Sequence, residues 1–386
     1  MMKVIIHYNE IGLKGKNRIF FETKLYDNIK DVLEVIEIKK ENKRFILDIN
    51  GSKNEIESKL KNIFGIENFC FVTEVGRDVE TIITKAVEEI KKFNAKEIAL
   101  KTKRSDKSFE LNSIELNKKI GEEVNKLGMK INFSNPEKTL FIEITSKNVY
   151  IYSEKIKGLG GLPVGSSGKV LCLLSGGIDS ALAAYYMMKR GCNVGFLHFH
   201  VFPSNKNVLE TKIKDIIEVL NKYQNKSKLF LIPYNNYQRS TIEKIPCNLE
   251  VISFKNFMLR TAERLARKKN YKAIVVGDSI GQVASQTLSN LNSSREGVGL
   301  VVLSPLIGFD KQEIIDKAIE IGTYEASIEK YMDCCSIVAK KPNLGVKNKE
   351  IKEVGDKIDI NKVIEESLKE LEVFEFKDMI EFKRKY

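Results

Sequence analysis

The sequence predicts a multidomain protein, α/β in its C-terminal half and α+β in its N-terminal half, and three observations carry that prediction. The C-terminal half repeats near-continuous apolar runs at residues 170–174, 194–199, 229–232, 273–276 and 300–303, with helical patterns between most of them. Such runs joined by long crossovers form a parallel sheet covered on both faces, with right-handed connections. The N-terminal half instead interleaves short strand signals and amphipathic helices. Between the halves lies GLGGLPVGSSG at 158–168, a composition that suits neither helix nor strand and reads as a hinge.

Taken in order, residues 1–53 form a small α+β module: a strand over 3–8, the basic turn GLKGKNR, a helix over 19–33 and strands over 35–38 and 44–49, closed by Asn50 and Gly51. A second module over 54–157 opens with a helix whose Ile56, Leu60, Ile63 and Phe64 recur at helical spacing. A strand over 65–75 follows. The next helix, 78–93, has Asp78 or Arg77 near its start and Lys91 and Lys92 in its last turn, the polarity that a helix dipole favours. A strand from 96 then runs into KTKRSDKSF, where Lys101, Lys103, Arg104 and Lys107 can line one edge and meet a phosphate backbone; a solvated loop is the competing reading. A helix over 113–127 and strands over 139–144 and 149–151 complete the module. The C-terminal domain is expected to run from 169 to 386.

The chain has 386 residues, 42% hydrophobic and 30% charged, enough for two or three cores. No apolar run reaches the length of a membrane span, and the N-terminus lacks the apolar length and cleavage site of a signal peptide, so a cytoplasmic protein with no membrane partner is expected. The net charge of +12 favours a polyanionic partner. The cysteines at 70, 172, 192, 247, 334 and 335 show no paired CxxC spacing, and His7, His198 and His200 are too scattered for a zinc site. Structural disulfides are not expected in a cytosolic chain of this size.

The chemistry concentrates in VLCLLSGGIDSALAAYYMMKR, residues 170–190, which reads as strand, tight loop and helix. Gly176 and Gly177 let the backbone approach a ligand, the helix start offers unpaired N–H groups, and Ser175 and Ser180 add hydroxyls: a phosphate cradle. No Gly-Lys-Ser/Thr ends it, so it is not the common P-loop. Asp179 can hold Mg²⁺ against phosphates, since Mg²⁺ favours one or two carboxylates plus phosphate oxygens. A glycine-rich turn with no ligand is the alternative. Because ligands of open parallel sheets bind beyond the carboxyl ends of the strands, SGGIDS, His198 and Phe199, and GDSIGQVASQT at 277–287 should share one crevice. His198 also fits as a buried strand residue.

SGGIDS resembles the pyrophosphate loop (PP-loop) of the ATP pyrophosphatases, which adenylate their substrates and release pyrophosphate. The element order over 54–156 resembles the THUMP RNA-binding domain. With the hinge, GDSIGQVASQTLSN at 277–290 and CSIVAKKP at 335–342 in the same order, the whole chain resembles the tRNA 4-thiouridine synthetase family, the ThiI-type tRNA sulfurtransferases. That resemblance implies a ferredoxin-like first module, a THUMP second module and a C-terminal PP-loop domain. It implies ATP and Mg²⁺ as cofactors, AMP and pyrophosphate as products, and tRNA as partner, with uridine 8 adenylated and then thiolated from a persulfide or sulfide donor. Thiolation of a sulfur-carrier protein for thiamine biosynthesis, and a homodimer, are further options it leaves open. Carried over by motif, Leu173, Leu174, His198 and Phe199 would border adenine and ribose. Gly277 and Gln286 would lie at the nucleotide, as would Lys255, with Arg260 the second candidate. Cys335 takes the place of the catalytic cysteine, with Lys340 and Lys341 positioned to lower its pKa and Cys247 favoured as resolving partner; two small buried residues at 334 and 335 are the alternative. Many bacterial members carry a C-terminal rhodanese domain; here the sequence runs to Tyr386 through what reads as a charged helical tail, and no rhodanese domain is expected. The chain departs from some archaeal members in carrying Val251 and Phe254 where they have a CxxC, which makes a cluster at that motif doubtful. Two other functions compete: an RNA-binding protein whose PP-loop fold is not catalytic, and a PP-loop enzyme acting on another tRNA base.

Overall fold

The computed structural model describes residues 1–41, 44–334 and 343–377, together with the backbone of 381–385. It divides into two compact units, Met1–Gly161 and Leu162–Tyr386.

The described residues of the first unit include the strands β1 Met2–His7, β2 Val35–Glu41, β3 Arg44–Ile49, β4 Asn68–Phe71, β5 Thr73–Val75, β6 Glu97–Arg104, β7 Lys130–Ile131, β8 Lys138–Ile144, β9 Val149–Tyr152 and β10 Ile156–Lys157. They form two sheets, ordered β10-β4-β1-β3-β2 and β5-β9-β8-β6-β7. The helices Arg18–Val32 and Lys53–Leu60 accompany the first sheet in sequence, and Leu25, Ile29, Ile56 and Leu60 join Val4, Ile6, Leu47 and Phe69 in its core. Against the second sheet, helices Val79–Lys91 and Ser113–Lys126 bury Ile82, Ala86, Leu116 and Ile120 with Ile98, Leu140 and Ile142. Sequence sets where these helices begin. Asp78 accepts from the Thr81 amide at 2.8 Å, and Asn112 with Glu115 forms a reciprocal capping box.

The run over 65–75, expected as one strand, is divided at Val72. Cys70 of β4 lies opposite Ile5 of β1, whereas Thr73 of β5 lies opposite Ile151 of β9, so one apolar run serves two sheets. The first sheet therefore includes β4 and β10, both beyond the 1–53 stretch expected to make the first module. A buried ion pair between Arg44 of β3 and Glu143 of β8 ties the two sheets, and Glu143 also accepts from the Tyr152 hydroxyl at 2.7 Å.

The second unit is one seven-stranded sheet: β11 Lys169–Leu173, β12 Asn193–His200, β13 Lys226–Pro233, β14 Ala273–Val275, β15 Val302–Leu303, β16 Glu372–Lys377 and β17 Glu381–Lys385, in the order β15-β14-β11-β12-β13-β16-β17. The first five run parallel, as their apolar composition requires. The chain beyond the last expected strand is not wholly helical: after helices Asn348–Ile358 and Ile360–Lys369, β16 adds antiparallel to β13. The alternating EVFEFK, with Phe374 and Phe376 buried, is the strand signal that the surrounding charges obscure.

The expected hinge is tied down at both ends. Gly158 and Gly160 donate to the carbonyls of Glu67 and Ile66 at 2.9 and 2.7 Å, while Leu162 and Ser167 donate to those of Lys189 and Gly191 at 3.0 and 2.9 Å. Leu162 and Val164 are buried.

Candidate nucleotide site and nucleic-acid surface

In the second unit the chain runs from β11 outward to β12 and β13, then returns to place β14 on the other side of β11. The gap between the carboxyl ends of β11 and β14 is therefore a topological switch point, where open parallel sheets hold ligands. A cavity of about 300 Å³ opens there, and its wall includes Leu173, Ser175, Asp179, Ser180, Gly277 and Asp278. Lys255 and Gln286 also line it, so the structure gathers seven of the nucleotide residues expected from sequence at one place.

The loop after β11 is shaped by its own hydroxyls. Ser180 Oγ accepts from the Ser175 amide at 3.2 Å and donates to the Gly177 carbonyl at 3.1 Å, and the Gly177 amide donates to Ser175 Oγ at 3.3 Å. Gly176 has φ +82°, a conformation that glycine adopts without penalty. Gly177 caps the helix Ile178–Lys189 with no side-chain hydrogen bond, leaving that helix start open to an anion. Gly277 is required by proximity: a Cβ there would lie 2.7 Å from both the Asp179 carbonyl carbon and the Ser180 nitrogen.

Asp179 is held from two sides, by Lys311 Nζ at 2.8 Å on one oxygen and by the Gln282 amide at 2.9 Å on the other. Asp278, a second carboxylate in the same wall, accepts from Lys255 at 3.3 Å and from Gln286 Nε2 at 3.4 Å, with Arg295 at 3.9 Å. Sequence reasoning missed Lys311, Gln282, Asp278 and Arg295. Gln282 and Asp278 stand inside the quoted 277–287 motif, whereas Lys311 lies more than 130 positions from its partner and carries no local signal. Gln286 Oε1 is buried without a hydrogen-bond partner, an acceptor that a ligand donor would satisfy.

Five expected nucleotide residues, Leu174, Gly176, Gly177, His198 and Phe199, are absent from the cavity wall, as is the second candidate Arg260, and Cys335 lies outside the described residues. His198 is fully buried, its Nδ1 2.6 Å from the Leu174 carbonyl and its Nε2 2.7 Å from the Tyr331 hydroxyl. Burial pushes its pKa down to about 3. Its ring is thus the buried strand residue of the alternative reading. The Phe199 side chain lies in the core against Phe254 and Phe257, and Leu174 is buried. Gly176 also lies outside the wall, and a Cβ on it would meet Ile213 Cδ1 at 2.9 Å. Arg260 points elsewhere, donating to Asn361 Oδ1 at 3.1 Å. Cys335, with Lys340 and Lys341, lies outside the described residues. Asp333, two positions before it, lines the cavity, and Cys334 is buried. Among the other cysteines, Cys247 is exposed while Cys70, Cys172 and Cys192 are buried, and burial raises the Cys172 thiol to about 12.

In the first unit Lys101 and Lys103 alternate outward along β6 and are exposed, as is Lys107 in the following loop. Arg104 differs. Its guanidinium donates to the carbonyls of Phe109 and Leu111 at 3.2 and 2.9 Å, so it holds the loop rather than presenting a free cation.

Three family profiles match the chain in succession: the ThiI ferredoxin-like domain over residues 3–70, the THUMP domain over 76–154, and thiamine biosynthesis protein (ThiI) over 165–360. The chain is similar to a probable tRNA sulfurtransferase of Caldanaerobacter subterraneus subsp. tengcongensis, 39% identical across 94% of this chain and 97% of that protein. A probable tRNA sulfurtransferase of Clostridium perfringens is 36% identical across 97% of this chain and 99% of its own length. Among solved structures, a 4-thiouridine synthetase in complex with RNA and bound ATP superposes with a TM-score of 0.89 at 34% identity, covering 98% of this chain and all 100% of that one. PH1313 from Pyrococcus horikoshii Ot3 shares the fold, with a TM-score of 0.65 at 24% identity over 83% of this chain and 100% of that one.

Proposed function

The chain belongs to the ThiI family of tRNA sulfurtransferases, and from that premise we propose that it makes 4-thiouridine at position 8 of tRNA by adenylating the uridine with ATP and then replacing the activated oxygen with sulfur. One observation carries the reading: the cavity that holds the 175–180 loop has Asp333, two residues before Cys335, in its wall. Asp333 in that wall supports a reading in which adenylation and sulfur transfer share one site.

In the first step the uridine O4 attacks the α-phosphate of ATP and pyrophosphate leaves. Leu173, Met258, Leu259 and Val276 offer apolar faces to the base, and Gln286 Oε1 offers an acceptor. The 175–180 loop and the open helix start receive the departing pyrophosphate, and Lys311 adds positive charge beside Asp179. Mg²⁺ takes one or two carboxylates and completes its shell with phosphate and water. Asp179 would hold it, and the ion would supply charge neutralisation at the leaving group.

In the second step the terminal sulfur of a persulfide on Cys335 attacks C4 and AMP departs with the oxygen. Cys247 thiolate then attacks Cys335 Sγ, leaving the sulfur on the base and a disulfide for an external thiol to reduce. Cys247 supports this role by its exposure and its place: the described chain resumes after 342 with the Asn343 amide donating to the Asn248 carbonyl at 3.0 Å. The tRNA is gripped by the first unit through Lys101, Lys103 and Lys107. The modules of this reading are 1–53, 54–157 and 169–386, with the link at 158–168. A persulfide or sulfide donor supplies the sulfur in the cytoplasm, a sulfur-carrier protein is a second acceptor, and the working form is a homodimer; no described helix is long and apolar enough to cross a membrane.

Mass spectrometry of tRNA nucleosides from a strain lacking the protein should show loss of 4-thiouridine, and labelled ATP should yield AMP and pyrophosphate in the presence of tRNA. ADP and phosphate as products would overturn the reading.

A further inference from the structure

Asp179 and Asp278 both stand in the wall of the nucleotide cavity, and their surroundings differ. Asp179 is engaged on both oxygens, by Lys311 at 2.8 Å and by Gln282 at 2.9 Å. Asp278 is engaged chiefly on one. Lys255 Nζ and Gln286 Nε2 donate to its Oδ1 at 3.3 and 3.4 Å, whereas Oδ2 meets, among the described residues, the Arg295 guanidinium at 3.9 Å. That separation is an ion-pair contact rather than a hydrogen bond, so Oδ2 keeps lone pairs for a ligand donor.

The backbone that carries Asp278 is fixed on both sides. Before it, Gly277 packs on the phosphate loop so closely that a Cβ would lie 2.7 Å from the Asp179 carbonyl carbon and the Ser180 nitrogen. After it, Ser279 is buried and donates to the Phe309 carbonyl at 2.8 Å. The following turn is closed by the Gly281 amide on the Gln286 carbonyl at 3.1 Å and by the buried Asn290 side chain on the Ala284 carbonyl at 2.8 Å. A preorganised carboxylate thus stands one residue from the loop, beside the apolar surface of Leu173, Met258, Leu259 and Val276.

An acceptor flanked by two cations is the complement of a donor flanked by two acceptors, and that is the edge of uracil, where N3–H lies between O4 and O2. The same edge is where adenylation creates an acid. As O4 gives an electron pair to phosphorus, positive charge gathers at N3, and the N3 proton has to leave for the adenylated base to be neutral.

We propose that Asp278 is the general base of the adenylation: its Oδ2 accepts from N3–H of the target uridine and takes that proton as O4 bonds to the α-phosphorus. This rests on the reading that the chain adenylates uridine O4. In balance, the O4–P bond forms, the bond from the α-phosphorus to the bridging oxygen breaks, and pyrophosphate leaves with that electron pair. The N3 proton passes to Asp278, and the base is left with an N3=C4 double bond. Once sulfur has replaced the oxygen, the thiocarbonyl product carries N3–H again, and Asp278 returns the proton.

The test is single-turnover AMP release by the full chain with tRNA at saturating ATP and Mg²⁺. Asp278→Asn keeps the size and removes the base, and release should fall by about 100-fold or more, the range of general-base catalysis. A tRNA with 5-fluorouridine at position 8 has a more acidic N3–H and depends less on a base. It should recover about ten-fold or more in Asp278→Asn and gain about three-fold or less in the wild type. Asp278→Ala opens space for a small carboxylate, so formate should restore release there and do nothing for Asp278→Asn, where the amide fills that space. A residue that merely propped Lys255 and Gln286 would answer to neither rescue. Release within about three-fold of wild type in both variants, or a loss that neither 5-fluorouridine nor formate relieves, overturns the assignment. A wild-type chain that releases no AMP with tRNA instead overturns the adenylation reading, so the two failures are told apart.

Discussion

Asp179 accepts from Lys311 on one oxygen and from Gln282 on the other, a fixed carboxylate rather than a wandering surface charge. Asp179→Asn keeps the size and the fold, and adenylation measured as tRNA-dependent AMP release should fall by about 100-fold or more, as when preorganised charge is removed from a transition state. Lys311→Ala should act in the same direction. His198 gives a prediction in pH. Its folded pKa of about 3 lies below the ordinary 6.5, so the unfolded chain takes up the proton first and stability falls as pH drops below 6.5. At pH 5 the loss from this group is about 2 kcal/mol, and His198→Asn should flatten the fall of melting temperature between pH 7 and 5. At this scale the sequence was informative where chemistry is local: Ser175, Gly177, Asp179 and Ser180 sit together because they are neighbours in the chain. It was silent on Lys311, and on the two internal hydrogen bonds that hold the buried His198 ring.

The elements place those residues, and two of them can be tested directly. The end of β14 meets the start of the helix Ile178–Lys189 at Gly277, where a Cβ would stand 2.7 Å from backbone atoms that cannot turn aside. Gly277→Ala should cost about 1–3 kcal/mol in unfolding and weaken ATP binding together, because one shift spoils both packing and loop. On β6 the outward lysines differ from Arg104. Replacing Lys101 and Lys103 by Ala should reduce the slope of log tRNA affinity against log salt by about one to two units, whereas Arg104→Ala should lower the melting temperature by freeing the loop over 105–111. Strand and helix types follow apolar period and caps closely here, as at Asp78 and Asn112. What periodicity does not contain is partnership. The run over 65–75 reads as one strand because its apolar pattern is continuous, and only pairing divides it between β1 and β9.

At the scale of the whole molecule, the units carry separate cores, one around Leu171, Phe230 and Phe257 and others around Val4 and Leu47 and around Ile98 and Ile142. Calorimetry should resolve more than one transition. ATP at about 100 times its Kd should add about 2.7 kcal/mol to the transition of the nucleotide-binding unit and leave the other in place. Within the first unit, β4 leaves the first sheet at Phe71 and β10 rejoins it at Ile156, where Ile156 lies directly opposite Phe69. The departing and returning strands are neighbours, so their backbones stand about 5 Å apart. Everything from β5 to β9 therefore leaves and re-enters the first sheet through adjacent strands, and the Arg44–Glu143 pair is the buried tie that such an insertion adds. A gene encoding the host sheet could gain or shed that insertion in a single recombination between two adjacent strands, with a tight hairpin left at the scar and no hydrogen-bonded ladder torn. A protein engineer could likewise exchange it for another domain whose termini lie equally close.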